Sequence, residues 1–477
     1  MADKNKFYVT TAIDYVNAEP HIGHAYQKII ADVLARWHKL KGENVRFLTG
    51  TDEHGKKVQK AAEKIGENPK KFVDKISKKF KEAWESLDII PDRFIRTTDK
   101  DHEKVVMDFI EKCNKAGDIY KGIYEGYYCV NCEAYITEKD LINGECPYHP
   151  GQKIDKIKEE SYFFRLSKYE SFLLNLYKEH PEFILPESRR NEVVNRVKEG
   201  LNDFSISRTS FSWGIPFPLE KGHVVYVWFD ALINYLTGAN GYWPADLHIL
   251  GKDNTWFHVV YWPAMLKSAG YKLPKTVFNH GFLSFNGQKI SKSLGNSISP
   301  KILVEKYGKD TIRYLCLRHF PFASGDDGDF DEKALVERHN NELANKLGNL
   351  VSRVTNLSEK NGMQKTNNSL LKKINIKKIS KLINNFEFDK ALNEIFAFID
   401  ICNEYVQKKK PWETKDKKVL YELVDSIKVI AILLWSFIPS TSEKISKLLR
   451  FEIKLTNIEK PINAKKIKKS EILFRKI

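Results

Sequence analysis

A strand that runs into a helix beginning with two histidines constrains this chain more than any other feature. KFYVTTAIDYVNA (6–18) is rich in β-branched and aromatic residues, as a buried strand requires. EPHIGHAYQKI follows, and Ile29, Ile30, Val33, Leu34 and Trp37 then recur at helical spacing. Pro20 suits a first helical turn, where its missing N–H is not needed. NVRFLTG (44–50) is a second strand, and TDEHG at its end opens helical text through Lys64. This alternation is the βαβ rhythm of a doubly wound α/β sheet. Ligands of such a sheet bind at helix N-termini, beyond the carboxyl ends of the strands, and His21 and His24 stand there.

From Gly117 to Pro150 the rhythm breaks into short aromatic and cysteine-bearing pieces. Strand text returns with HVVYVWF (223–229) and DLHILG (246–251), and a glycine-marked hairpin follows over 282–296. After Asp331 the chain reads as wholly helical and rich in Lys and Asn. The expected fold is α/β: a Rossmann-like doubly wound parallel sheet split by a zinc-binding insertion and followed by an α-helical bundle domain. The expected divisions are 1–117 and 208–284 for the two halves of the sheet domain, 118–207 for the insertion, 285–333 for a loop region, and 334–477 for the helices.

No apolar run approaches the ~20 residues needed to span a bilayer, and residues 2–7 lack the apolar core of a signal peptide. A cytoplasmic setting follows. The net charge of +16 suits a polyanionic partner such as nucleic acid, or equally a lysine-rich solvated surface. Six cysteines, three of them crowded into one segment, do not form a disulfide framework. Cys129-x2-Cys132, then thirteen residues, then Cys146-x2-His149 instead supplies four ligands at zinc-knuckle spacing, with Gly144 and Pro147 turning the second pair. Four protein ligands leave no open position for a catalytic water, so this zinc is structural.

Exposed N–H groups at a helix N-terminus favour phosphate, and two imidazoles there can donate to phosphate oxygens as charge builds. Gly23 between them leaves room for a flat base against the backbone. Lys289-Ile290-Ser291-Lys292-Ser293 sits in a glycine-flanked loop, where two ammonium groups could close over a triphosphate. Taken singly, the histidines could be surface, core or metal-binding residues, and KISKS could be a basic turn.

Together, HIGH near the first helix and KISKS after the last strand resemble the paired signature of class I aminoacyl-tRNA synthetases. Within that class the chain is similar to the methionyl-tRNA synthetases over essentially its whole length. The likeness rests on FYVTTAIDYVNAEPHIGHAY, LARWHKLKGENVRFLTGTDEHG, YVWFDALINYL, HILGKDN, FHVVYWPAMLKSAG and KISKSLGN, in that order.

The resemblance implies ATP-dependent, Mg-requiring activation of L-methionine and its transfer to the terminal ribose of tRNA(Met). His21, His24, Lys289 and Lys292 would stabilise the transferring phosphoryl group. Gly251 and Asp253 would lie at the adenosine ribose, with Gly23 and Ser291 also at ATP. Asp52 matches the partner of the substrate ammonium. Ile13, Tyr15, Trp228, Ala231, Leu232 and Tyr235 match the pocket wall, and His258 matches the residue near the sulfur. Asn254 stands where the family usually has an aliphatic residue, and Asp14 where an aromatic residue or proline is expected. Ile290 replaces the usual Met of KISKS.

Across ELANKLGNLVSRV (342–354), Leu343, Leu347, Leu350 and Val354 make a buried stripe. Asn345, Asn349 and Arg353 fall at i, i+4 and i+8 on another face. By resemblance these three read the anticodon, and Trp412 in KKKPW stacks a base, as single-stranded RNA recognition requires. The implied 285–333 region would contact the tRNA stem, and the absence of a further appendage suits a monomer.

Rival readings remain at this point: a class I ligase for leucine or cysteine, a nucleotidyltransferase that never touches tRNA, or a noncatalytic tRNA-binding protein. The ordered pocket residues oppose the first, the long helical domain the second, and the intact His and Lys pairs the third.

Overall fold

A computed structural model describes residues 5–129, 134–136, 141–146, 149–285, 287–289, 298–463 and 467–477. A seven-stranded sheet lies at its centre. Its order runs Ile184–Leu185, Thr276–His280, Leu247–Gly251, Lys6–Thr11, Asn44–Asp52, Asp14–Tyr15, with Arg93–Arg96 also paired to Asn44–Asp52. Every pairing is parallel. The order reverses at Lys6–Thr11, which has Asn44–Asp52 on one side and Leu247–Gly251 on the other. That reversal is where ligands of open α/β sheets bind.

Two expected strands are revised. The 6–18 run is broken: Lys6–Thr11 is a full strand, and only Asp14–Tyr15 resumes pairing, now with Thr51 and Asp52. HVVYVWF is strand only at Val224–Val225 and turns helical over Val227–Ala231. A short apolar run does not by itself distinguish a strand from a buried helix.

The insertion folds as an antiparallel sheet around Ile119–Cys129 and Asp155–Phe164, a long ladder from Ile119↔Phe164 to Tyr128↔Asp155. The helices beyond Asp331 do not form a separate core. One apolar cluster runs from Val9 and Ile29 under the sheet to Leu343, Ile399 and Ile430 in the helical region. A second cluster, on the other face, gathers Tyr235, Phe229, Leu232 and Trp262. Leu343, Leu347, Leu350 and Val354 are buried as their periodicity predicts. The C-terminal segment packs on the same helical region: His339 Nε2 bonds the Arg475 carbonyl at 2.7 Å, and Asn340 bonds the Ile477 backbone at 2.8 and 3.1 Å.

Candidate active site

His21 caps the helix Ile22–Leu40 with its own ring: Nδ1 accepts from Gly23 N at 3.1 Å. The backbone N–H of His21 donates in turn to His24 Nδ1 at 3.2 Å. This is a capping box built from imidazoles in place of Ser and Glu. The rings stack 3.8 Å apart. Since a backbone N–H occupies each Nδ1, the neutral form of each ring carries its proton on Nε2. Two N–H donors therefore stand at a positive helix end. A Cβ at Gly23 would come within 3.0 Å of the His21 ring, which explains the glycine between them.

Gly251 ends its strand beside His280, two places in the sheet from Asn44–Asp52. A Cβ there would meet the Asp253 carboxylate at 2.8 Å, so that exposed acid folds back over the glycine. Lys252 is anchored to Asp327 at 2.7 and 2.9 Å. Lys289 has backbone pairing with Ser284, whereas Ser291 and Lys292 lie outside the described residues.

The residues expected around methionine gather mostly against the second apolar cluster, with Tyr15 touching both. Tyr15 pairs in register with Asp52, which is 8 % exposed at the end of its strand. Trp228 stacks on Phe257 with centroids 3.6 Å apart and planes within 4°. Ala231, Leu232, Tyr235 and His258 are buried, and Ile13 packs against their cluster. His258 lies in a single π-helical turn, Phe257–Tyr261, a winding common at functional sites. Its Nδ1 bonds the Asn254 carbonyl at 2.9 Å and its Nε2 the Tyr235 hydroxyl at 2.6 Å. Burial pushes the imidazole down to about 4, against the raising effect of that carbonyl. Asn254, the unexpected residue, thus serves His258 through its backbone.

Behind this wall, buried Asp230 accepts from His54 at 2.7 Å and His102 at 2.8 Å. Burial would raise its carboxyl, but the two histidines outweigh that and hold it below the usual range. The bridge fixes the helix of Trp228 to the end of the strand that bears Asp52. Sequence reasoning missed it, because the three residues are joined only by the fold.

In the insertion, Cys129 and Cys146 are buried together, packed by Leu141 and Ile154 in a small cluster apart from both large cores. Cys146 pairs across a two-stranded ladder with His149. Just before that ladder, Asn143 and Gly144 turn the chain between the bridged residues Ile142 and Glu145, with positive φ at both, 54° and 78°, as a tight turn demands. Cys132 and Pro147 lie outside the described residues. Among the described side chains, the two buried thiols are the donors a metal could take here.

In the helical region, Arg353 and Trp412 face one cavity of about 350 Å³, completed by Asn356, Leu357 and Gln407. Trp412 is 40 % exposed, although large aromatics normally bury. Asn345 and Asn349 are not among the lining residues. Residues His339–Gly348 wind as a π-helix, so the even i, i+4, i+8 row expected of an α-helix begins only at Asn349. Asn356 follows Arg353 by three residues and could have been found by spacing; Gln407 could not.

A parallel sheet whose order reverses beside paired imidazoles, with a helical region sharing its core, fits a class I aminoacyl-tRNA synthetase. The family model for class I tRNA synthetases (M) matches residues 7–157 and 150–355, and that for the anticodon-binding domain of tRNA ligases matches 367–476. The chain belongs to the methionyl-tRNA synthetase family. It is 43 % identical over 99 % of its length to the methionine–tRNA ligase of Caldanaerobacter subterraneus, covering 79 % of that protein. Against the ligase of Thermotoga maritima it is 45 % identical over 94 % of its length, covering 76 %. The Mycobacterium tuberculosis methionyl-tRNA synthetase in complex with methionyl-adenylate superimposes with a TM-score of 0.92 at 38 % identity, over 98 % of this chain and 99 % of that one. Among the described residues no helix is long and apolar enough to cross a membrane.

Proposed function

We propose that this chain activates L-methionine with ATP and transfers it to tRNA(Met), with the work divided as follows. The methionine carboxylate attacks the α-phosphorus, and the bond to pyrophosphate breaks. A ribose hydroxyl of the tRNA end then attacks the activated carbonyl carbon and releases AMP. No protein nucleophile is needed; positioning and charge stabilisation supply the rate. The Nε2–H groups of His21 and His24 donate to phosphate oxygens, and Lys289 and Lys292 neutralise the departing pyrophosphate. Gly23, Gly251, Asp253 and Ser291 hold the rest of ATP, which arrives with Mg. Asp52 takes the substrate ammonium, and Ile13, Tyr15, Trp228, Ala231, Leu232, Tyr235 and His258 enclose the thioether, with Asn254 behind His258.

Cys129, Cys132, Cys146 and His149 would hold one structural zinc, which ties the insertion together. The 334–477 region reads the anticodon, with a base stacked on Trp412 and held by Arg353, Asn356 and Gln407, and with Asn345 and Asn349 adding amides earlier in the same helical run. We take the protein to work in the cytoplasm and to act as a monomer.

What carries this reading is the pair of imidazoles with fixed tautomers at the sheet's switch point, opposite a buried aromatic pocket. The test is ATP–pyrophosphate exchange with each of the twenty amino acids. Methionine alone should support it; equal exchange with leucine or cysteine would overturn the assignment.

A further inference from the structure

Lys28 lies one turn beyond His24 in the same helix and is fully buried. Its ammonium donates to Asp14 Oδ1 at 2.5 Å, to the Ala12 carbonyl at 3.2 Å and to Gln27 Oε1 at 2.8 Å, and it sits 5.7 Å from the centre of the Trp84 ring. Three protons meet three acceptors. Asp14 is 6 % exposed, and its Oδ2 is buried without a hydrogen bond. The pair is therefore held for Lys28, not for a network around the carboxylate. Burial pushes the Asp14 carboxyl up to about 6 against the pull of Lys28, and pushes the Lys28 amine down.

A buried ion pair is weak support for stability, because desolvation offsets the attraction; well-packed apolar residues often serve as well. What an apolar pair cannot do is fix one backbone against another at a set distance. Lys28 grips residues 12 and 14, on either side of Ile13 and immediately before Tyr15. Asp14 is itself locked in register to Thr51, as Tyr15 is to Asp52.

We propose that Asp14 and Lys28 are positioning residues that hold the 12–15 segment of the methionine pocket to the helix headed by His21 and His24. The phosphate site and the amino-acid site thereby keep one relative geometry. This inference rests on the reading that Ile13 and Tyr15 line the methionine pocket.

The test is the double variant Asp14→Val, Lys28→Met, which keeps apolar volume and removes the tether. It should melt within a few degrees of the parent, while the KM for methionine in pyrophosphate exchange rises about tenfold and the KM for ATP stays within twofold. A stable double variant with the parent's KM for methionine would overturn the proposal. If the double variant does not fold, Lys28→Met carries the test, since it keeps side-chain volume and removes the hydrogen bonds from this helix to residues 12 and 14. A KM for methionine raised about threefold supports the tether, and an unchanged one overturns it. Tyr15→Ala separates the two readings. If it leaves the KM for methionine unchanged, the pocket assignment fails; if it raises that KM while the double variant does not, only the tether fails.

Discussion

The Tyr235 hydroxyl lies 2.6 Å from His258 Nε2, and it must be the donor of that hydrogen bond. The opposite nitrogen, Nδ1, faces the Asn254 carbonyl at 2.9 Å, and a carbonyl only accepts. The ring proton is therefore on Nδ1, and Nε2 offers a lone pair. A neutral imidazole with one tautomer presents the same surface to every substrate, which a pocket discriminating by a methylene needs. Such pockets gain only ~1–3 kcal/mol per methylene.

Tyr235→Phe removes that donor and leaves a buried ring nitrogen unsatisfied. An unmet buried acceptor costs ~1–3 kcal/mol, so the KM for methionine should rise about tenfold while the KM for ATP is unchanged. Pyrophosphate exchange measures both. An unchanged KM for methionine would mean that this hydrogen bond does not shape the pocket.

The same burial predicts a pH dependence of stability. His258 and His280 are both pushed down to about 4 by burial; at His280 the Gly281 carbonyl opposes the shift and Lys28 adds to it. Between about pH 4 and the ordinary histidine value near 6.5, the unfolded chain binds more protons than the folded one. Stability therefore rises with pH across that window. It is fully present above about pH 6.5 and is lost progressively as the pH falls toward 4. Each ring contributes a slope of at most about 1.4 kcal/mol per pH unit. Denaturant titrations at pH 5 and pH 7.5 check the sign, and replacing His258 with Gln should flatten the dependence.

Trp412→Ala should separate the two half-reactions. Base–aromatic stacking is worth ~1–3 kcal/mol, so the KM for tRNA in aminoacylation should rise about ten- to a hundredfold. Methionine-dependent pyrophosphate exchange should stay within twofold, because Trp412 and its cavity are built only from the helical region. Parallel loss in both assays would place Trp412 in the fold instead of the interface.

How much of this could be read from the sequence depended on whether the signal was local. The strand–helix junction at Pro20 and the stripe Leu343, Leu347, Leu350, Val354 were legible because a proline at a first turn and apolar residues every three or four positions are local signals. The stripe stays buried across the change of winding. The helix at Trp228 was not: HVVYVWF is apolar in both periods, and its stacking on Phe257 decides for helix after Tyr226. The Asn345–Asn349 spacing assumed α winding, which the π-helix upstream of Asn349 replaces. Gln407 and the His54–Asp230–His102 bridge join distant segments and leave no local trace. Asp14 looked out of place until Lys28, fourteen residues on, supplied its partner.

The insertion offers the last test. Among the described residues, Cys129 and Cys146 share a cluster with Leu141 and Ile154 packed against it, a small apolar surface for ordering the strands around it. A bound metal stabilises whatever fold presents its ligands. The protein as purified should therefore carry about one zinc per chain by elemental analysis. Removing it with a strong chelator should lower the thermal midpoint and expose the strand Ile119–Cys129 to proteolysis near its end. Cys129→Ala should release the metal and reproduce that cleavage, while the methionine KM in pyrophosphate exchange moves little, because His258, Tyr235 and Asp52 belong to elements of the sheet region. A chain that contains no zinc and resists proteolysis equally with and without chelator would remove the metal from this account and leave the two thiols as packing residues.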